Sequence, residues 1–148
     1  MTSRLTSVRL AATLALAAGF ATVAHADDSA ALAAAAKEPG AVVSASGVVF
    51  KSIKEGTGAS PKASDTVKVN YRGTFPDGKE FDASRGKPIS FPLKGVIPCW
   101  TEGVQKLKVG GTGKLTCPSA TAYGPRGAGG VIPPNATLVF EVELLAIN

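Results

Sequence analysis

Two stretches of this chain alternate apolar and polar residues with a period of two, and that pattern restricts the fold more than any other feature. Over 66–75, Val67, Val69 and Tyr71 point one way, and Lys68, Asn70 and Arg72 the other. Over 137–147, Leu138, Phe140, Val142 and Leu144 share one face, while Val139, Glu141, Glu143 and Leu145 share its opposite. Side chains along a strand alternate sides, so each stretch predicts a strand with one buried face. Shorter strands are predicted over 47–54, 79–82, 89–91 and 112–117. Pro76-Asp77-Gly78 reads as a hairpin turn between the stretch 66–75 and the strand 79–82.

One segment has helical spacing instead. Trp100, Val104 and Leu107 form a single apolar stripe over 98–108. Pro98 suits a first helical turn, Glu102 lies early and Lys106 and Lys108 late, and Gly110-Gly111 ends the pattern. The region 121–135, with Pro125, Pro133 and Pro134, reads as a long loop. Several short strands and one amphipathic helix predict an α+β domain, an antiparallel sheet with the helix on one face.

The first 26 residues read as a signal peptide. Arg4 and Arg9 precede an apolar stretch over 10–20, and Ala24-His25-Ala26 fits a small-x-small cleavage site. That stretch is short for a bilayer span, so no membrane attachment is expected after removal. Export is expected, to the periplasm, with secretion into the medium as the other destination. Residues 27–46 read as an Ala-rich extension and 47–148 as one domain. Removing 1–26 lowers the formal charge from +5 to +3. The cations are scattered along the chain, so no nucleic-acid partner is expected.

The only histidine, His25, lies in the signal segment. The remainder has no histidine for a nucleophilic triad or a His-ligated metal site, so neither metal nor cofactor is expected. Export permits a disulfide between Cys99 and Cys117. Two separate buried thiols are the alternative.

Six blocks carry a resemblance. They are Tyr71-x-Gly73; Asp77-Gly78-x-x-Phe81-Asp82; Val96-Ile97-x-x-Trp100-x-Glu102-Gly103; Ala122-Tyr123-Gly124; Ile132-Pro133-Pro134-Asn135-Ala136; and Leu138-x-Phe140. In order and spacing they resemble the FKBP-type peptidyl-prolyl cis/trans isomerases, the macrolide-binding immunophilins, over about 47–147. The resemblance implies a five-stranded antiparallel sheet wrapped around one short helix, with a pocket between them. It implies Trp100 as pocket floor, with Tyr71, Phe81 and Phe140 as walls. Asp82 and the Tyr123 hydroxyl would be the polar contacts, with Tyr71, Asp82, Trp100, Tyr123 and Phe140 forming the catalytic set.

Val96 and Ile97 would line one rim, with the Ile97 N–H available to a substrate carbonyl. Ile89 and Phe91 would contribute from the short strand, Ile89 standing where an aromatic wall is common. Val131 and Ile132 would come from a glycine-rich flap. The implied partners are proline-containing unfolded or nascent polypeptides and macrolide inhibitors. The segment 27–43 is too short for a long dimerisation helix, so a monomer is expected. A non-catalytic module that grips proline segments is the other reading of the same residues.

Overall fold

The computed structural model describes residues 25–148. The signal-peptide reading over 1–26 therefore lies outside the described residues, apart from His25 and Ala26. Helix α1 (His25–Ala36) is followed by strands β1 (Val42–Val43), β2 (Val49–Lys54), β3 (Thr66–Thr74), β4 (Glu80–Ala83) and β5 (Ile89–Pro92). Helix α2 (Pro98–Val104), β6 (Thr112–Cys117) and β7 (Leu138–Ile147) complete the chain. Single 3-10 turns lie at Leu93–Gly95, Ser119–Thr121 and Gly124–Arg126.

All strand pairs are antiparallel, in the order β1-β2-β6-β7-β3-β4, with β5 also on β3. Seven strands replace the five expected, for two local reasons. β4 pairs with Arg72, Gly73 and Thr74, whereas β5 pairs with Thr66 to Val69. They share the edge of β3 away from β7, so they are one sheet position split by the 84–88 loop. β1 is a two-residue edge ladder on Val49 and Phe50, too short to show a period.

The alternating stretches do what their pattern predicts. Val67, Val69, Leu138, Val142 and Leu144 are fully buried, and Phe140 nearly so. With Leu115 and Phe50 they form the face on which α2 lies. Gly103 allows close approach there: a Cβ at this position would run into the Leu115 side chain. α2 ends at Val104 rather than at 108. Beyond it, Lys106 and Leu107 donate to carbonyls three residues back, Gly103 and Val104, at 3.1 Å, so the chain tightens out of the α form. Leu107 stays buried, which is why its stripe extends past the helix.

The opposite face of the sheet holds α1. Lys51 and Lys114 are register partners on β2 and β6. Glu38, just beyond α1, spans both, with Lys114 Nζ at 3.0 Å and Lys51 Nζ at 3.3 Å. Ala35 is buried against the sheet. The hydrogen bond from Lys114 holds the Glu38 carboxyl below its ordinary range; partial burial opposes this and Lys51 assists it.

Among the described residues no helix is long and apolar enough to cross a membrane.

Candidate functional site

A cavity of about 350 Å³ opens between the end of β3, β4, β5 and the start of α2. Its lining is Tyr71, Phe81, Asp82, Phe91, Gly95, Val96, Ile97, Trp100, Tyr123 and Phe140. These residues come from six separate stretches of chain. Strand register gathers them: Gly73 pairs with Asp82 on one side and with Phe140 on the other. A Cβ on Gly73 would stand 2.6 Å from Phe81 Cζ and 2.9 Å from Phe140 Cε1. The missing side chain is what lets two wall rings meet over the β3 backbone.

Trp100 lies in the first turn of α2 and is the cavity floor. Three rings meet its indole nearly edge-on: Tyr71 at 5.2 Å and 82°, Phe91 at 5.4 Å and 79°, Phe140 at 5.4 Å and 89°. Phe81 extends the wall from Phe140 at 5.6 Å and is backed by Phe75 at 5.1 Å. Edge-to-face pairs of this kind each add about 0.5–1.5 kcal/mol beyond burial, which favours this arrangement of the walls. The Trp100 indole N–H is buried without a hydrogen-bond partner among the described residues, an arrangement that ordinarily costs about 1–3 kcal/mol.

Polar groups are few and sit at the edge. The Tyr71 hydroxyl donates to Asp82 Oδ2 at 2.7 Å, and the Ala83 N–H donates to Asp82 Oδ1 at 2.9 Å. Burial, and then the bond to Asp82, push the Tyr71 phenol above its ordinary pKa of 10.0, so it stays a neutral donor. Ser84 Oγ accepts from the Tyr71 N–H at 3.0 Å and fixes the backbone there. Tyr123 is 41% exposed, and its hydroxyl has no partner among the described residues. The Ile97 N–H, just before α2, is likewise unpaired, although the Ile97 carbonyl accepts from Trp100 and Thr101. Among the described residues, the Ile97 N–H and the Tyr123 hydroxyl are thus free donors at the rim of an apolar cup. Among the described residues no group of three or more His, Cys, Asp or Glu gathers to hold a metal ion.

The structure brings together the five residues expected to be catalytic, with Phe81, Phe91, Val96 and Ile97 from the expected binding set. Three of the expected residues stand elsewhere. Ile89 is 38% exposed and does not line the cavity. It faces Val69 at the sheet edge, whereas Phe91 faces Val67 and reaches Trp100. Val131 and Ile132 also lie off the cavity wall. Ala128 and Ile132 exchange two backbone hydrogen bonds, of 2.9 and 3.0 Å, which fold the loop tip on itself. Ile132 is thereby buried in the core and Val131 is turned to solvent. Gly95 is the lining residue that the sequence did not reveal, because it contributes backbone and carries no side-chain pattern.

Cys99 and Cys117 are joined by a disulfide with a Cα–Cα distance of 5.7 Å. It links the residue before Trp100 to the last residue of β6.

Residues 58–145 match the family model described as FKBP-type peptidyl-prolyl cis-trans isomerase. FkpA of Escherichia coli strain K12, an FKBP-type peptidyl-prolyl cis-trans isomerase, is 56% identical over 115 residues, which are 76% of this chain and 42% of that protein. The Outer membrane protein MIP of Legionella longbeachae is 46% identical over 119 residues, 79% of this chain and 51% of that protein. This chain therefore spans about half the length of such relatives. The crystal structure of Escherichia coli FkpA superposes with a TM-score of 0.80 at 51% identity, covering 83% of this chain and 58% of that one. A peptidyl-prolyl cis-trans isomerase from Pseudomonas syringae pv. tomato superposes with a TM-score of 0.79 at 39% identity, covering 83% and 92%. With these likenesses spanning the sheet, α2 and the cavity between them, the chain belongs to the FKBP-type peptidyl-prolyl cis-trans isomerase family.

Proposed function

We propose that this chain accelerates cis/trans rotation about X-Pro peptide bonds in exported polypeptides and so assists their folding. The observation that carries this reading is the Trp100 floor held edge-on by Tyr71, Phe91 and Phe140, with the unpaired Ile97 N–H and Tyr123 hydroxyl at the rim.

The prolyl bond resists rotation by about 18–20 kcal/mol because twisting it breaks amide resonance. Uncatalysed, the rotation takes tens to hundreds of seconds. The planar amide is the more charge-separated form, so an apolar cup destabilises it relative to the twisted form. The proline ring rests on Trp100 between the aromatic walls. The preceding carbonyl swings while the ring is held, and the Ile97 N–H and the Tyr123 hydroxyl are the donors placed to meet it. Interactions made only in the twisted geometry lower the barrier. Asp82 keeps the Tyr71 ring in place through its 2.7 Å hydrogen bond. The reaction makes and breaks no covalent bond, so it needs no acid, base, metal or cofactor.

The substrates on this reading are proline-containing unfolded or nascent chains, and macrolides are competitive inhibitors. Residues 1–26 act as an export signal to the periplasm, 27–46 form an extension and 47–148 the catalytic domain. The working unit is a monomer.

A protease-free isomerisation assay on short X-Pro peptides tests the reading. Acceleration proportional to protein concentration and blocked by a macrolide is the expected result. Binding of proline peptides with no acceleration, by a folded chain, would reject catalysis and leave a gripping module.

A further inference from the structure

Two parts of the cavity that are distant along the chain are joined covalently behind it. Cys99 immediately precedes the floor residue Trp100 in α2. Cys117 ends β6, and from there the chain runs through Pro118 and the 3-10 turn Ser119–Thr121 to Tyr123 on the rim. That arm is closed by its own hydrogen bonds. The Thr121 N–H and the Thr121 hydroxyl both donate to the Pro118 carbonyl, at 2.9 and 2.8 Å, and the Ala122 N–H donates to the Ser119 carbonyl at 3.0 Å. A shift at Cys117 is therefore transmitted to Tyr123 instead of being absorbed by slack chain. Tyr123 itself is 41% exposed, with no hydroxyl partner among the described residues. Its position rests on its backbone, held on one side by this arm and on the other by the Asn135 N–H, which donates to the Gly124 carbonyl at 2.9 Å.

We propose that the Cys99–Cys117 disulfide is a positioning brace, which holds the Tyr123 arm at a fixed distance from the Trp100 floor. The inference rests on the isomerase reading above and deepens it. Both cysteines are fully buried, so in the folded state the sulfurs are shielded from thiols in solution. Geometry at a reacting centre is demanding, and a displacement of about 1 Å can cost up to a hundredfold in rate. The loss expected on removing one of several supports is on the order of tenfold.

The test compares the oxidised protein with C99A/C117A, each with and without Tyr123→Phe, at a temperature where circular dichroism shows all four folded. The expected result is a loss of about tenfold in kcat/KM on removing the disulfide, carried in kcat, and little further loss when Tyr123 is already phenylalanine. An unchanged kcat/KM with a lowered Tm would overturn the proposal and leave the disulfide a stabiliser only. An equal loss in the Tyr123→Phe background would overturn it as well. If C99A/C117A does not fold, wild-type chain refolded in excess thiol reductant gives the same comparison without substitution. If the oxidised protein itself shows no acceleration, the isomerase reading fails, and the brace is scored by proline-peptide affinity. Affinity that is equal with and without the disulfide then overturns it, and affinity that falls only where Tyr123 is present supports it.

Discussion

The Tyr71 hydroxyl hydrogen-bonds Asp82 Oδ2 at 2.7 Å, across the ladder that joins β3 to β4. The pair places one neutral donor and one carboxylate at the edge of a cavity whose other walls are mostly apolar. The ring of Tyr71 is at the same time an edge-on neighbour of both Trp100 and Phe91. A single bond at the rim therefore sets the angle of a wall.

Tyr71→Phe keeps the ring and removes the bond. A stability loss of about 1 kcal/mol is expected, with kcat/KM lower by roughly tenfold, equivalent to about 1.4 kcal/mol in the barrier. The pH dependence has a definite sign. Burial and the bond to Asp82 raise the folded-state pKa above the ordinary 10.0, so above that pH the unfolded chain loses a proton that the folded chain keeps. The contribution of Tyr71 is complete below about pH 10 and is lost as the pH rises beyond it. Denaturant midpoints measured from pH 8 to pH 11 should fall more steeply for wild type than for Tyr71→Phe.

Tyr123→Phe isolates the rim donor. The side chain is partly exposed, so stability should change by no more than about 0.5 kcal/mol. The kcat/KM should nevertheless fall by about tenfold, with most of the change in kcat. An effect confined to KM would show that the hydroxyl binds the ground state and the twisted form alike.

Gly73→Ala tests whether the meeting of rings over β3 shapes the cavity. The added methyl would press on Phe81 and Phe140. A destabilisation of about 1–3 kcal/mol is expected from overpacking, together with weaker macrolide binding, both measurable by thermal shift.

Glu38→Gln tests how the N-terminal extension is held. The carboxylate serves Lys51 and Lys114 while about a third exposed, so its loss should cost only about 0.2–1 kcal/mol. Because its folded-state pKa is lowered from 4.5, its contribution is present above that value and is lost as the pH falls through the folded value. Faster hydrogen exchange across α1, with unchanged exchange in β3 and β7, is the expected outcome.

The sequence was most legible where burial is one-sided and long. β3 and β7 showed their faces because nine and ten residues of alternation leave little freedom of register. β1 could not be seen, since two residues carry no period. α2 read too long because Leu107 keeps the stripe after the helical hydrogen bonds have changed. Trp100, Tyr71 and Phe140 on their own read equally well as core, and it was the six spaced blocks of the family that marked them as walls. Ile89, Val131 and Ile132 lie off the cavity wall because their positions depend on a strand edge and on a bridge at the loop tip. Both are tertiary details that a local pattern does not encode.

Trp100 is the single tryptophan of the chain and the floor of the proposed site. The most direct test is NMR exchange spectroscopy on an X-Pro peptide, following its cis and trans resonances with catalytic amounts of wild type and of Trp100→Leu. Exchange between the two forms that grows with wild-type concentration and nearly vanishes in a folded Trp100→Leu is the expected result. Exchange at the uncatalysed rate with folded wild type, or undiminished exchange with Trp100→Leu, would contradict it.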